Sequence, residues 1–181
     1  MGASQANLST MDLWLLRHAE AEERAASGLD EDRGLTAAGL AQAKAAARGI
    51  SALAPRIAVI LTSPYLRARQ TAEPVAEALG LTGIRVAQAL EPGSDPEAIL
   101  SELEETGEES VLLVGHAPLL GHLLGRLVAG SPDGDIPMSK AGAACVSFDG
   151  LERRSRLRAF LPAAVLERLG EMKNRRAEAG S

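Results

Sequence analysis

Trp14-Leu15-Leu16-Arg17-His18-Ala19-Glu20 is the stretch that decides how this chain is read. A short apolar run stops abruptly on an arginine and a histidine. As a strand, it leaves a permanent cation beside a good nucleophile at the edge of a sheet. Two later stretches share the pattern: Leu61-Thr62-Ser63-Pro64-Tyr65-Leu66-Arg67-Ala68-Arg69-Gln70-Thr71 and Val114-Gly115-His116-Ala117-Pro118. A fold that gathers these three strand ends would build one site from all of them.

Working outward, Met11 to Leu16 reads as the first strand and Arg17 to Arg33 as a long charged loop with room for a helical turn. Loops of that length inside compact domains are often functional. Thr36 is an N-cap for a helix to about Leu53, with Leu40, Ala43, Ala47 and Ile50 as its buried stripe. Gly39 weakens that helix, which implies a close neighbour. Ile57 to Leu61 and Val111 to Val114 are unbroken apolar runs, suited to central strands covered on both faces. A helix from about Tyr65 should be kinked or split by Pro74 and end at Gly80. Ile84 to Ala87 gives a weaker strand. Asp95-Pro96-Glu97 opens a helix that closes near Gly107.

Pro118 opens another helix, to Val128 or Ala129. Ser131 to Pro137 is a turn-rich loop. Ala143 to Phe148 and Arg156 to Phe160 form a hairpin-like pair joined through Asp149-Gly150, and Leu161 to Leu169 a closing helix. Strands alternating with helices predict an α/β three-layer sandwich: a mostly parallel central sheet, helices on both faces and no cap subdomain. Residues 1–10 read as a flexible leader, 11–170 as one domain and 171–181 as a frayed charged tail.

Composition limits the function classes. A net charge of −5 argues against nucleic-acid binding. No apolar run approaches the ~20 residues of a membrane span, and the first ten residues lack a signal peptide's basic start and apolar centre. The expected setting is the cytoplasm. The single cysteine, Cys145, lies in an apolar strand and reads as structural. Aromatic residues make up only 2% of the chain, so Leu, Ala, Val and Ile must build the core. Sixteen of the 19 basic residues are arginine, a bias that by itself says little about phosphate.

Ligands of parallel α/β sheets bind beyond the carboxyl ends of the strands. Arg17, His18, Ser63 to Arg67, and His116 all fall there. Arginine offers a fixed fork of donors that matches phosphate oxygens, and a neutral imidazole can attack phosphorus and hold it covalently. The competing reading pairs the arginines with Glu20, Glu22 or Glu73. It suits Arg69, on an outer helix face, better than Arg17 or Arg67. His122 lies among leucines on a helix and reads as structural. A P-loop, a zinc site and a serine-hydrolase elbow all lack their residues.

With those residues in view, the chain resembles the histidine phosphatase superfamily. Leu16-Arg17-His18-Ala19 is similar to its first motif, with Ala where many members have Gly. Leu35-Thr36-Ala37-Ala38-Gly39, the Ser63 to Thr71 segment and Gly115-His116-Ala117-Pro118 follow in the family's order. The resemblance implies that His18 is the nucleophile and becomes phosphohistidine. Arg17, Arg67 and His116 would hold the phosphoryl oxygens, with Ser63 and Ala117 completing the binding set. It implies no metal and no cofactor. Glu91 sits where mutase-like members carry a proton-donating Glu, and is either that acid or a solvated loop residue.

The short spacing between Thr71 and Val111 leaves no room for a cap, and in this the chain is most similar to SixA-like phosphohistidine phosphatases. The implied partner is a phosphorylated protein carrying phosphohistidine. The alternatives are a small phosphate ester of a sugar or nucleotide, or a non-catalytic phosphate-sensing module. Mutase activity, which favours a closed site, does not suit an uncapped one.

Overall fold

The computed structural model describes residues 11–53, 55–131, 134–148 and 155–179. The leader at 1–10 and the turn at Asp149-Gly150 lie outside them. The chain runs β1 (Met11–Arg17), α1 (Ala37–Ala52), β2 (Val59–Thr62), α2 (Leu66–Leu79), β3 (Ile84–Val86), α3 (Pro96–Thr106), β4 (Ser110–Gly115), α4 (Leu119–Ala129), β5 (Ala143–Phe148), β6 (Arg156–Leu161) and α5 (Ala163–Ala179). A 3-10 turn at Asp30–Asp32 interrupts the loop after β1, and another spans Gln88–Leu90.

The strands form one sheet in the order β3-β2-β4-β1-β5-β6. β3, β2, β4 and β1 are mutually parallel, and β5 pairs antiparallel with both β1 and β6. Successive side chains on a strand face opposite ways, so each central strand feeds two cores. Leu13 and Leu15, with Leu61 and Leu113, pack with Leu100 and Leu103 of α3 and Leu120 and Leu124 of α4. Trp14 and Leu16, with Ile60, Leu112 and Val114, pack with α1, α2 and Leu166 of α5. This is the expected three-layer α/β sandwich, with no extra subdomain between β2 and β4. Among the described residues no helix is long and apolar enough to cross a membrane.

Local chemistry explains the ends. Thr36 Oγ1 accepts the Gly39 N–H at 2.9 Å, and Asp95 Oδ1 accepts the Glu97 N–H at 3.0 Å, each satisfying a donor at a helix start. Gly80 and Gly107 end α2 and α3 at φ 69° and 65°. The close neighbour implied by Gly39 is the Glu20 carbonyl, whose oxygen occupies the space a Cβ would need.

Three expectations are corrected. Leu40 is exposed, because α1 buries Gly39, Ala43, Ala46, Ala47 and Ile50 between the sheet, α2 and α5, and Leu40 falls just outside that stripe. Pro74 does not split its helix: α2 runs without a break from Leu66 to Leu79, anchored on both sides of Pro74 by buried Thr71, Ala72, Val75 and Ala76. The tail expected to fray continues α5 to Ala179, and Lys173 Nζ donates to Ser51 O and Oγ at 3.1 and 2.8 Å.

Candidate active site

The sheet order puts β4 between β1 and β2, so the three motif-bearing strand ends are neighbours. Arg17 stands opposite Gly115 in the β1–β4 ladder, and Thr62 opposite Val114 in the β2–β4 ladder. The pairing continues past the strands: His18 N–H donates to Gly115 O at 2.9 Å, and Ser63 N–H to Val114 O at 3.0 Å. Backbone register alone therefore brings Arg17, His18, Ser63, His116 and the start of α2 together.

The His18 and His116 rings lie 5.0 Å apart, centroid to centroid. Tyr65 stands edge-on to His116 at 5.2 Å, and the Arg67 guanidinium carbon lies 4.8 Å from the Tyr65 ring centroid. His18 Nδ1 and Ala19 O are 2.7 Å apart. A carbonyl only accepts, so Nδ1 carries the proton and Nε2 is left with the lone pair. Burial, helped by the charges of Arg67, Arg17 and Lys140, lowers the His18 pKa to about 4 against the opposing hydrogen bond. Burial, then His18, Arg67 and Arg17, lowers that of His116 to about 3, with Asp30 opposing. Both imidazoles are thus neutral near pH 7.

His116 Nε2 lies 2.9 Å from Ser63 Oγ, which also accepts the Tyr65 N–H at 3.3 Å. A hydroxyl has one proton and two lone pairs, so either Nε2 or Oγ can donate in the His116–Ser63 bond. Nδ1 of His116 is buried without a partner, and so is Nε of Arg17. Among the described residues the Arg17 side chain makes one hydrogen bond, from Nη1 to Met138 O at 2.7 Å. A buried polar group left unpaired costs ~1–3 kcal/mol, and Arg17 Nε, which can only donate, calls for an acceptor. In a chain of net charge −5, Arg17, Arg67 and Lys140 all act on His18, and Asp30 opposes Arg67 and Arg17 at His116. An anion fits this crevice.

Four residues form the centre the sequence suggested: Arg17, His18, Arg67 and His116. Ser63 is buried on His116, and Ala117 follows it in the turn before α4. Glu91 is half-buried just after Leu90, which packs within 3.6 Å of the space a Gly115 Cβ would take. No hydrogen bond or ion pair reaches its carboxylate among the described residues. Arg69 is exposed, and Cys145 is buried in β5, where burial raises its thiol pKa to about 12. Glu20 ties down the loop through Thr36 Oγ1 at 3.1 Å.

The arginine pairings foreseen with Glu20, Glu22 and Glu73 do not occur among the described residues. Arg67 instead meets Asp30, with Nη2 to Oδ2 at 2.9 Å and Nη1 to the carbonyl at 2.7 Å. Other participants were missed too. Thr71 Oγ1 accepts the Ala19 N–H at 3.1 Å and donates to Arg67 O at 2.7 Å, stitching the segment after β1 to α2. Ala141, at φ 56°, donates its N–H to Arg17 O at 3.1 Å and to His18 O at 3.3 Å. The length of the 17–33 loop was the signal for Asp30. Thr71, one helical turn after Arg67, had its spacing as a signal. The backbone contacts of Ala141 leave none in sequence.

An α/β sheet whose parallel strand ends bring together two neutral histidines and two arginines has the chemistry to hold a phosphoryl group. Residues 13–91 match the model of the histidine phosphatase superfamily, branch 1. The chain is 36% identical over 124 residues to the phosphohistidine phosphatase SixA of Escherichia coli, covering 66% of this chain and 76% of that one. It is 37% identical over 135 residues to an uncharacterised protein of Picosynechococcus, with 73% and 82% covered. Among solved structures, a protein histidine phosphatase SixA complexed with tungstate superposes with a TM-score of 0.76 at 27% identity, over 85% of this chain and 98% of that one. A putative SixA from Agrobacterium tumefaciens gives 0.69 at 32% identity, over 83% and 97%. The chain belongs to the histidine phosphatase superfamily.

Proposed function

We propose that this protein is a phosphatase working through a covalent phosphohistidine on His18, with protein-borne phosphohistidine as its substrate. The observation that carries the reading is the tautomer. Nδ1 of His18 is fixed by the Ala19 carbonyl, which leaves Nε2 as a neutral, unpartnered nucleophile in a crevice of cations. Nε2 attacks phosphorus, the bond from phosphorus to the leaving group breaks, and the electron pair departs with that group. Arg17, Arg67 and His116 take up the charge on the phosphoryl oxygens, with the backbone at Ser63 and Ala117 lining the site. Water then attacks the phosphoryl group on Nε2, phosphate leaves and His18 is restored. The charge is met by guanidinium groups, so the reaction needs no metal, and its setting is the cytoplasm.

The substrate choice draws on the similarity to SixA proteins and on the absence of any inserted element between β2 and β4 that would roof the site. A protein-borne phosphoryl group reaches an unroofed site. A P–N bond also breaks with less help from an acid than a phosphate ester does. The deciding measurement compares hydrolysis rates of a phosphohistidine protein with those of a panel of sugar and nucleotide phosphates. The reading expects the protein to be preferred, and preference for a small ester overturns that choice.

His18→Ala should abolish both turnover and the acid-labile phosphoenzyme, and normal turnover in this variant refutes the mechanism. Vanadate should compete with substrate, while EDTA should leave the rate unchanged. The position of Glu91 beside Leu90 supports ester hydrolysis as a second reading, with Glu91 as proton donor to the leaving oxygen. A positioned acid contributes typically ~10²–10⁴-fold. Glu91→Gln should then slow alkyl esters far more than activated aryl esters, and equal slowing removes Glu91 from that role.

A further inference from the structure

Arg67 is held by more than its own helix. Its side chain is 6% exposed, and two of its five N–H groups are taken by one residue of the loop after β1. Asp30 accepts from Nη1 through its backbone carbonyl and from Nη2 through Oδ2. The other carboxylate oxygen, Oδ1, accepts from Arg33 Nη1 at 2.7 Å, and Arg33 Nε donates to Glu22 O at 2.6 Å. Arg67 makes no other hydrogen bond among the described residues, so its remaining N–H groups are free for a ligand. The loop thus grips one edge of the guanidinium and leaves the rest of the fork.

We propose that Asp30 is a positioning residue for phosphoryl transfer. Bridged between Arg33 and Arg67, it fixes the plane of the Arg67 guanidinium so that the free donors meet the phosphoryl oxygens in the transition state. The proposal rests on the phosphoryl-transfer reading of the site. Asp30 is not the proton donor: the neighbouring Arg33 and Arg67 hold its carboxyl below the usual carboxylate range, so it stays ionised. Nor does its exposure suit a structural role, because its side chain is 52% exposed and ion pairs of that kind contribute little to folding. Its effect must act through the buried arginine it holds.

A simple competitor for the anion seat would behave differently. Neutralising a carboxylate beside an anion site strengthens binding of any anion, whatever its shape. Loss of positioning falls on the transition state, where a fixed donor matters most. The ratio of vanadate to phosphate affinity separates the two, since vanadate adopts the five-coordinate geometry on His18 and the general charge effect cancels.

The test uses the full chain with Asp30→Asn and, independently, Arg33→Gln. Calorimetry measures binding of orthophosphate and of vanadate, and steady-state kinetics gives kcat and KM. Asp30→Asn should lower the preference for vanadate over phosphate about tenfold and lower kcat by a similar factor, with little change in KM. Arg33→Gln should move both the same way by a smaller factor, and Asp30→Glu should restore part of the loss. An unchanged preference with tighter phosphate binding makes Asp30 a competitor and overturns the proposal. So does an unchanged kcat. If the wild-type chain turns over no phosphate compound, the proposed function fails while the vanadate preference still decides the role of Asp30.

Discussion

The two histidines share a crevice and differ in their tethers. His18 spends its Nδ1 proton on a backbone carbonyl, and His116 lies against a serine hydroxyl. Burial keeps both neutral, which has a consequence in acid. Protonation of Nε2 removes the nucleophile, so kcat/KM should stay level from pH 8 down to about pH 5 and fall near the His18 pKa of about 4. An acid limb near 6.5 would mean an ordinary, solvated imidazole. Stability should follow the same groups. A histidine whose pKa is depressed by folding contributes fully above pH 6.5, and that contribution is lost as the pH falls toward the folded value. By pH 5 the loss is roughly 2 kcal/mol per histidine, readable as a lower urea midpoint than at pH 7.

At the scale of elements, α1 and α5 meet through glycine. A Cβ on Gly49 would collide with the Leu166 backbone, and one on Gly170 would press on Arg48. Gly49→Ala should therefore cost on the order of 2–3 kcal/mol despite its better helix propensity, since overpacking against backbone outweighs a propensity gain of ~1 kcal/mol. Chemical denaturation checks this, and a stabilised variant would show that the helices can separate cheaply. Sequence reading found these elements because their chemistry is local. Thr36, Asp95, Gly80 and Gly107 mark helix ends with their own side chains or backbone, and the apolar runs of β2 and β4 have one fate in a covered sheet. It misplaced Leu40, because the width of a helix's buried face depends on the two helices beside it. It overrated Pro74, because tertiary packing holds α2 across a missing hydrogen bond.

The candidate site was legible to the degree that it follows from strand ends. Arg17, His18 and His116 sit at or just past the ends of apolar runs and Arg67 opens the helix after a third, so topology gathers them. Asp30, thirteen residues beyond Arg17, arrives by the path of a loop, which no periodicity encodes.

Over the whole molecule, burial is concentrated between residues 11 and 170. Beyond Gly170 the helix is exposed, and its best-defined tether is Lys173 on Ser51 at the surface. Removing residues 171–181 should change stability by less than about 1 kcal/mol, because exposed charge pairs and solvated helix turns contribute little. A larger drop in thermal midpoint would show that the end of α5 supports the α1 face. The catalytic constants should not move, since the site lies at the strand ends. A net charge of −5 is compatible with an anion site, because Arg17, Arg67 and Lys140 act together on His18 while the remaining charges lie elsewhere on the chain.

Trp14 lies on β1, paired with Leu112 and Cys145 and 7% exposed, three residues before Arg17. It is the only tryptophan of the chain. Its fluorescence is therefore an uncontaminated optical report from the central strand. Emission should be blue when that strand is paired and red once water reaches the indole. A stopped-flow refolding trace would time the assembly of the strand that leads into His18, with no label attached.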